Sequence, residues 1–406
     1  MTDFFDALEA EAPEARAARL YGQLPGLIAL AQAKAPGLAL TGVDPATITD
    51  AAALASLPLI RKSDLIAAQA TNPPFAGLVT RPAGQLKRVF ASPGPIYDPE
   101  GERADWWRFA RALYAAGFRA GEIVHNCFAY HFTPAGSMIE TGAHALGCAV
   151  FPGGVGNTEQ QVRAIADLQP AGYGGTPSFL KIILEKAAEL GTPLPSLKKA
   201  LVSGEALPPS LRAWFSARGV SVLQCYATAD LGLIAYESAA DAGMILDEQV
   251  IVEIVRPGTG NPVALGEVGE VVVTSFNPDY PLIRFATGDL SAFLPGQSAC
   301  GRTGLRLKGW LGRADQTAKI KGMFVHPAQV AEVLKRHGLT KGRLVIEKDG
   351  DFDLAILSVE SADAAVSGAV TESFQALCKL RATVLTVAPG SLPNDGKVID
   401  DKRPVG

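Results

Sequence analysis

Hydrophobic positions run through this chain in two rhythms. Between Trp106 and Ala227, short apolar runs alternate with amphipathic stretches. EIVHNCFAY, GCAVFPGG, KALVSG and SVLQCYA read as strands. SMIETGAHALG, NTEQQVRAIADLQP, the run ending ILEKAAELG, and PPSLRAWFSARG read as helices. ADWWRFARALYAAGF is a further predicted helix, closed by glycine. Strands alternating with helices at this spacing imply βαβ units and a largely parallel sheet. Catalytic loops then belong at the carboxyl ends of the strands. From about Met244 the rhythm changes. QVIVEIVRPGTGNPVALGEVGEVVVTSF alternates strand-like runs with glycine turns, which predicts antiparallel hairpins. After Gly312 a small α+β unit follows, with helices at HPAQVAEVLKRHG and VSGAVTESFQALCKL, a hairpin at RLVIEKDGDFDLAILSVE and a last strand at TVLTVAPGSLP. Residues 1–85 read as mostly helical, with turn-rich LPLIRKSDL and TNPPFAG. The fold class is α/β: a large N-terminal domain, 1–312, then a small α+β domain, 313–406.

Composition narrows the class. With 406 residues, 48% of them hydrophobic, the chain can bury a large core in two or more domains. A net charge of -4 speaks against a nucleic-acid partner, which calls for a basic stripe. The five cysteines form no CxxC pair, which suits a reducing cytosol and gives no zinc-ribbon signal. The acidic N-terminus lacks a signal-like apolar core, and no uncharged apolar run reaches the roughly 18 residues of a membrane span. A soluble, cytoplasmic protein with no membrane partner is expected.

Several short segments could carry chemistry, and each has a plain structural reading beside it. Asp289, in TGDL after the strand-like LIRFA, could accept bonds from the vicinal hydroxyls of a ribose, or could cap a turn. In SGEALP, Ser203, Gly204 and Glu205 follow a strand, so backbone can approach a flat ring there; a tight strand-to-helix turn reads equally well. QCYATADLGL holds Tyr226 and Asp230, and Asp230 is either a Mg²⁺ ligand or a surface carboxylate. GRADQTAKIKG places Arg313, Asp315, Lys319, Lys321 and Gly322 in a glycine-flanked run that suits a hinge or a charged hairpin. Lys397 is a solvated tail charge, or a cation for negative charge developing on phosphate and carboxylate oxygens. The five histidines show no metal spacing.

Taken in order, these residues resemble the phenylacetate–coenzyme A ligase family of adenylate-forming enzymes. The likeness runs from LPLIRKSDL to the C-terminus. It is carried by GGVGNTEQQ, GTPSFL, the run from GEVGEVVVTS to RFATGD, CGRTG, GRADQTAKIKGMFVHPAQVAEVL and the Gly-Lys of Lys397. The resemblance implies a mobile C-terminal domain that rotates between two half-reactions: joining of a carboxylate to AMP, then transfer of the acyl group to coenzyme A. It implies ATP, Mg²⁺ and coenzyme A as reactants or cofactors, a small carboxylate substrate, and a homodimer. By position it puts Ser203, Gly204 and Glu205 at the adenine with Tyr226 stacked nearby, and Asp289 at the ribose beside Arg313. Asp315 becomes the hinge and Lys397 the adenylation lysine. Lys319, Lys321 and Gly322 join the thioester-forming loop. Phe128, Tyr130, His131, Phe132 and Gly136 line the acyl pocket.

The chain departs from the family pattern in three places. The family's phosphate loop is rich in Ser, Thr and Gly and ends in Gly-Lys-Pro. Here the matching stretch is FASPGPIYDPEG. Ser92 and Gly94 remain, but Pro93 and Pro95 have no N–H to donate to a phosphate. YATAD stands where the family has Thr-Glu, so Ala229 lacks a hydroxyl and Asp230 is a shorter acid. Of a Cys/His cluster found in some relatives, only Cys300 is kept, so no structural zinc is expected. The leading expectation is an ATP-dependent acid–CoA ligase for a small, aromatic or similar acid. The alternatives are an adenylating enzyme with an amine or carrier-protein acceptor, and a non-catalytic relative that binds nucleotide or acyl-CoA.

Overall fold

The computed structural model of the protein describes residues 4–92, 95–239, 242–256, 259–311, 314, 316, 318–320, 323–325, 327–349, 352–393 and 397–403. It divides into two compact units. One holds the residues up to Thr287 with Ser291–Trp310; the other holds Gly288–Leu290 with Leu311–Val405. Among the described residues no helix is long and apolar enough to cross a membrane.

A nine-stranded sheet organises the first unit. In spatial order its strands are Phe293–Leu294, Arg306–Leu307, Met244–Leu246, Gly232–Tyr236, Ser221–Thr228, Lys199–Val202, Gly172–Gly175, Ile123–Asn126 and Ala149–Pro152. The last five pair in parallel and the others antiparallel. Helices Ala135–Ala145, Thr158–Leu168, Pro177–Glu189 and Pro209–Ser216 make the crossovers between parallel strands, as the alternating pattern predicts. GYGG at Gly172–Gly175 has no strand-like pattern, yet it lies inside this sheet. All four residues are buried, and a Cβ on Gly172 would come within 2.6 Å of Phe118. Glycine is what lets the neighbours close in.

One predicted helix is shorter than its sequence suggests. ADWWRFARALYAAGF is helical only over Phe109–Ala115. Asp105 and Arg108 take left-handed φ angles of 48° and 65°, and the Asp105 carboxylate accepts from the Ala110 amide at 3.1 Å. The turn buries both Trp106 and Trp107, edge to face with ring centroids 4.4 Å apart.

A second sheet in this unit orders Ile60–Arg61, Phe285–Ser291, Gly269–Ser275 and Val250–Val255. The predicted hairpin is present, with Val250 opposite Ser275 and Val255 opposite Glu270. Residues 1–85 contain one long helix, Pro13–Lys34, and the short helices Ala51–Ala55 and Leu65–Thr71. Arg284 ties this segment to the sheet. Its guanidinium donates to both Glu253 carboxylate oxygens at 3.0 Å and to the carbonyls of Ala55, Leu57 and Gly260.

The second unit is a four-stranded sheet in the order Thr383–Val387, Phe352–Glu360, Gly342–Asp349, Ile399–Asp401. Its central pair is the predicted antiparallel hairpin, and the outer strands pair in parallel with it. Helices Pro327–Arg336 and Val366–Cys378 contribute Val330, Val333, Val370 and Phe374 to a core shared with Leu344 and Leu357. A small hairpin, Ala318–Ile320 with Met323–Val325, precedes them. Ile399–Asp401, which has no strand signal of its own, adds to the sheet edge two residues after Lys397.

Removing one member of a buried ion pair strands the other. Arg284→Met is therefore expected to destabilise the protein by about 3–5 kcal/mol in denaturant titrations, and Arg284→Met with Glu253→Leu to recover only the part due to the stranded carboxylate, because the carbonyls of Ala55, Leu57 and Gly260 still lose their donor. A single substitution costing under about 1 kcal/mol would contradict the anchoring role.

Candidate active site

Five parallel strands deliver their carboxyl ends to one edge, and the sequence-predicted residues of the first unit collect there. Gly204 follows strand Lys199–Val202 with φ of 79°, a conformation that favours glycine. A side chain at Gly204 would point toward Phe128 and Thr176, each 3.9 Å away. The turn expected at the adenine therefore borders the residue expected in the acyl pocket. The Ser203 hydroxyl donates to the Cys225 carbonyl at 2.9 Å and holds that turn to the next strand. Glu205 accepts from the Ser178 amide at the start of helix Pro177–Glu189. Tyr226 donates from its hydroxyl to Thr287 Oγ1 at 3.2 Å, and Thr287 donates on to the Val271 carbonyl at 3.0 Å. Thr287 thus fixes the Tyr226 ring, a role that its place in TGDL does not reveal.

Among the residues expected in the acyl pocket the organising residue is Asn126, which no sequence pattern singles out. Its amide donates to Tyr130 Oη at 2.7 Å and to the Gly136 carbonyl at 2.8 Å, and its oxygen accepts from the Phe128 amide. Phe128, Tyr130 and Gly136 are brought together in this way. A Cβ on Gly136 would lie 2.8 Å from the Ala129 carbonyl oxygen, so the loop closes only over glycine. His131 and Phe132 are not drawn in. Both are exposed, Phe132 at 79% and with φ of 63°.

The stretch that replaces the phosphate loop is a tight hairpin. Arg88–Ser92 pairs with Ile96–Glu100, with Ser92 opposite Ile96. Ser92 is buried, and its hydroxyl turns back to the Ile96 carbonyl at 3.3 Å. Gln69 braces the hairpin by bonding both the amide and the carbonyl of Tyr97, and the Ala91 amide reaches the Phe132 carbonyl of the acyl loop. Gly94 lies outside the described residues.

Asp230 is not the surface carboxylate of the plain reading. Its side chain is fully buried, and Oδ2 lies 2.5 Å from the ammonium of Lys62, which is 23% exposed. Lys62 sits in LPLIRKSDL, a stretch that reads only as turn-rich in the sequence. Asp98, from the hairpin, shares this environment. Its carboxyl is buried and has no well-formed hydrogen bond among the described residues; the same holds for Asp230 Oδ1 and the Tyr280 hydroxyl. Burial, with the Asp230 charge adding to it, raises the Asp98 pKa well above the ordinary carboxylate range, while Lys62 and Ser92 act the other way. Burial likewise raises Tyr280, again with help from the two carboxylates.

Asp289 belongs to the second unit. It lies on strand Phe285–Ser291 between two carbonyls that receive bonds from the chain entering the GRADQTAKIKG run: Leu311 to Leu290 at 2.9 Å and Ala314 to Gly288 at 2.6 Å. Lys397 is half-exposed, with its ammonium 3.3 Å from Asp400. Lys319 lies in the small hairpin, its backbone paired with Phe324. Arg313, Asp315, Lys321 and Gly322 lie outside the described residues.

The fold and this strand-end site define an AMP-binding enzyme. The AMP-binding enzyme family matches residues 105–277. The chain is 31% identical to a phenylacetate–coenzyme A ligase of Aromatoleum evansii over 83% of its own length and 79% of the relative's. It is 32% identical to the enzyme of that name from Thermus thermophilus over 79% and 74%. Among solved structures it is similar to a 2-hydroxyisobutyryl-CoA ligase in complex with its acyl-AMP and CoA. The TM-score there is 0.80 at 26% identity, covering 98% of this chain and 92% of the other. The chain belongs to the phenylacetate–coenzyme A ligase family.

The segments that match the Cys/His cluster of some relatives do meet here, but with a different donor set. Cys300 Sγ is 3.1 Å from Ser238 Oγ and 3.0 Å from Ser298 Oγ, with Arg302 at 3.7 Å. Among the described residues this group of one thiol, two hydroxyls and a guanidinium is not a zinc donor set. Burial works to raise the thiol's pKa, but the serine and Arg302 hydrogen bonds outweigh it and bring it down to about 7. The other four cysteines are buried, with pKa values raised chiefly by that burial. Iodoacetamide labelling read by mass spectrometry should therefore modify Cys300 first in the native protein, with a midpoint near pH 7. A midpoint near the unperturbed 9 would contradict the assigned hydrogen bonds.

Proposed function

We propose that the protein is an AMP-forming acid–CoA ligase. One oxygen of a small carboxylate attacks the α-phosphorus of ATP, pyrophosphate leaves, and an acyl-adenylate forms. The thiolate of coenzyme A then attacks the acyl carbon and AMP leaves. The observation that carries this reading is the meeting of Gly204 with Phe128 at the strand ends, with Ser203 bonded to Cys225 beside Tyr226, within a chain about 30% identical to such ligases over most of its length. A planar base against Gly204–Glu205 and Tyr226, with an acyl group against Phe128 and Tyr130, puts carboxylate and α-phosphate side by side, the arrangement in which positioning lowers the barrier. The Asn126-braced wall supports a small, flat or compact acid.

Charge on the transferring phosphate has to be met without a glycine-rich loop. Lys62 supplies one cation on the first unit, and Lys397 supplies the other in this reading. Asp230 Oδ1 and the Asp98 oxygens are hard donors of the kind a Mg²⁺ accompanying the phosphates takes, and the cation would add further neutralisation. Asp289 holds the ribose hydroxyls, and Asp315 serves as the pivot between half-reactions. One observation favours a second reading, a binding protein without catalysis: Ser92 turns its hydroxyl inward, away from any phosphate.

ATP–pyrophosphate exchange across aryl and short-chain acids distinguishes the two. The ligase reading expects exchange with at least one acid, a loss of about 10²–10³-fold in Lys397→Ala, and a raised KM for ATP in Lys62→Met. Undiminished exchange in Lys397→Ala would remove that lysine from the mechanism. Absence of exchange with every acid, with AMP still bound, would support the second reading. Repeating active acids without coenzyme A, with amines or a carrier protein, tests the acceptor.

A further inference from the structure

The segment that carries Lys397 is gripped from two sides inside the second unit. Gln316 Oε1 accepts from both the Val398 amide, at 2.7 Å, and the Ile399 amide, at 3.1 Å. From the opposite side Arg343 donates through Nε to the Lys397 carbonyl at 3.2 Å and through Nη2 to the Pro393 carbonyl at 3.4 Å. Leu344 completes the grip by donating to the Val398 carbonyl at 2.9 Å, which seats Ile399 at the sheet edge. Lys341 holds the Leu392 carbonyl at 2.8 Å. The chain is therefore held at Pro393 and again from the Lys397 carbonyl onward, while the lysine's side chain remains half-exposed.

The residue that makes the double bond is notable for where it stands. Gln316 follows Asp315 directly, in the GRADQTAKIKG run. Its φ is 59°, in the left-handed region that a residue with a side chain adopts only at a cost. Backbone strain of this kind persists where surrounding contacts impose it and often serves function. Here the conformation directs a side-chain oxygen, 82 residues ahead in sequence, onto two consecutive N–H groups.

We propose that Gln316 is a positioning residue for Lys397, linking the pivot segment to the placement of the adenylation lysine. The inference rests on the reading of Lys397 given above. The two half-reactions should then depend on Gln316 unequally, because only adenylation uses Lys397.

The test compares Gln316→Met, which removes the acceptor, with Gln316→Glu, which keeps one. Three readouts are taken: pyrophosphate exchange, thioester formation from a synthetic acyl-adenylate and coenzyme A, and amide hydrogen exchange of the peptide spanning Lys397–Asp401. Gln316→Met should lower kcat for exchange about tenfold with KM for ATP and acid nearly unchanged, and Gln316→Glu should restore most of the rate. Thioester formation should be unaffected in both, and the peptide should exchange faster only in Gln316→Met. Undiminished kcat in Gln316→Met, or an equal loss in both half-reactions, would overturn the proposal. If the wild type adenylates no acid, the ligase reading fails on its own. Hydrogen exchange then decides the clamp: faster exchange in Gln316→Met supports it, and unchanged exchange overturns it.

Discussion

A carboxylate with no exposed surface needs a cation beside it, and in this protein the buried Asp230 has Lys62. The pair joins residues 168 apart in sequence, so the N-terminal segment is tied to the end of a central strand through one charge contact. Asp98 and Tyr280 make the requirement sharper, since both bring unsatisfied oxygens into the same buried space. Without Lys62 that space would hold negative charge and lone pairs with nothing to balance them. The ammonium is also partly exposed, so part of its charge remains open to solvent. In the proposed reading, the phosphates would meet a side-chain cation braced by a buried acid.

The hairpin that takes the loop's place fits that scheme. It is held from three directions: by Gln69 on the Tyr97 backbone, by the Phe132 carbonyl on Ala91, and by Arg88, Trp107 and Ser137 on the buried Glu100. A loop that wraps a ligand draws on low local stability; the two strands of this hairpin are instead tied to their surroundings. The Ala91 amide bond to the Phe132 carbonyl also joins the hairpin to the loop that carries Phe128 and Tyr130.

Much of the architecture was legible in the chain. Apolar runs separated by amphipathic stretches foretold four of the five parallel strands and their crossovers, because that alternation is imposed by burial on both faces of a sheet. The antiparallel hairpin of Val250–Ser275 and the small C-terminal sheet followed from glycine turns between β-rich runs. Local pattern failed where tertiary packing overrode it. The stretch around Trp106 and Trp107 is a turn rather than a helix, with the Asp105 carboxylate accepting from the Ala110 amide. GYGG became a strand because glycine lets its neighbours approach. The site divides in the same way. Gly204, Tyr226 and Asp289 lie in segments with a recognisable order, so their positions could be named. Lys62, Asn126, Thr287 and Gln316 act through partners far away in sequence or through a single side-chain bond, and neither leaves a periodic trace.

The central claim is that a carboxylate oxygen of the substrate attacks the α-phosphorus of ATP at this strand edge. Isotope transfer tests it most directly. With an acid labelled with ¹⁸O in its carboxylate, together with ATP and coenzyme A, the account predicts that the AMP released carries one labelled oxygen and that pyrophosphate carries none. AMP without label, or label found in pyrophosphate or inorganic phosphate, would contradict it.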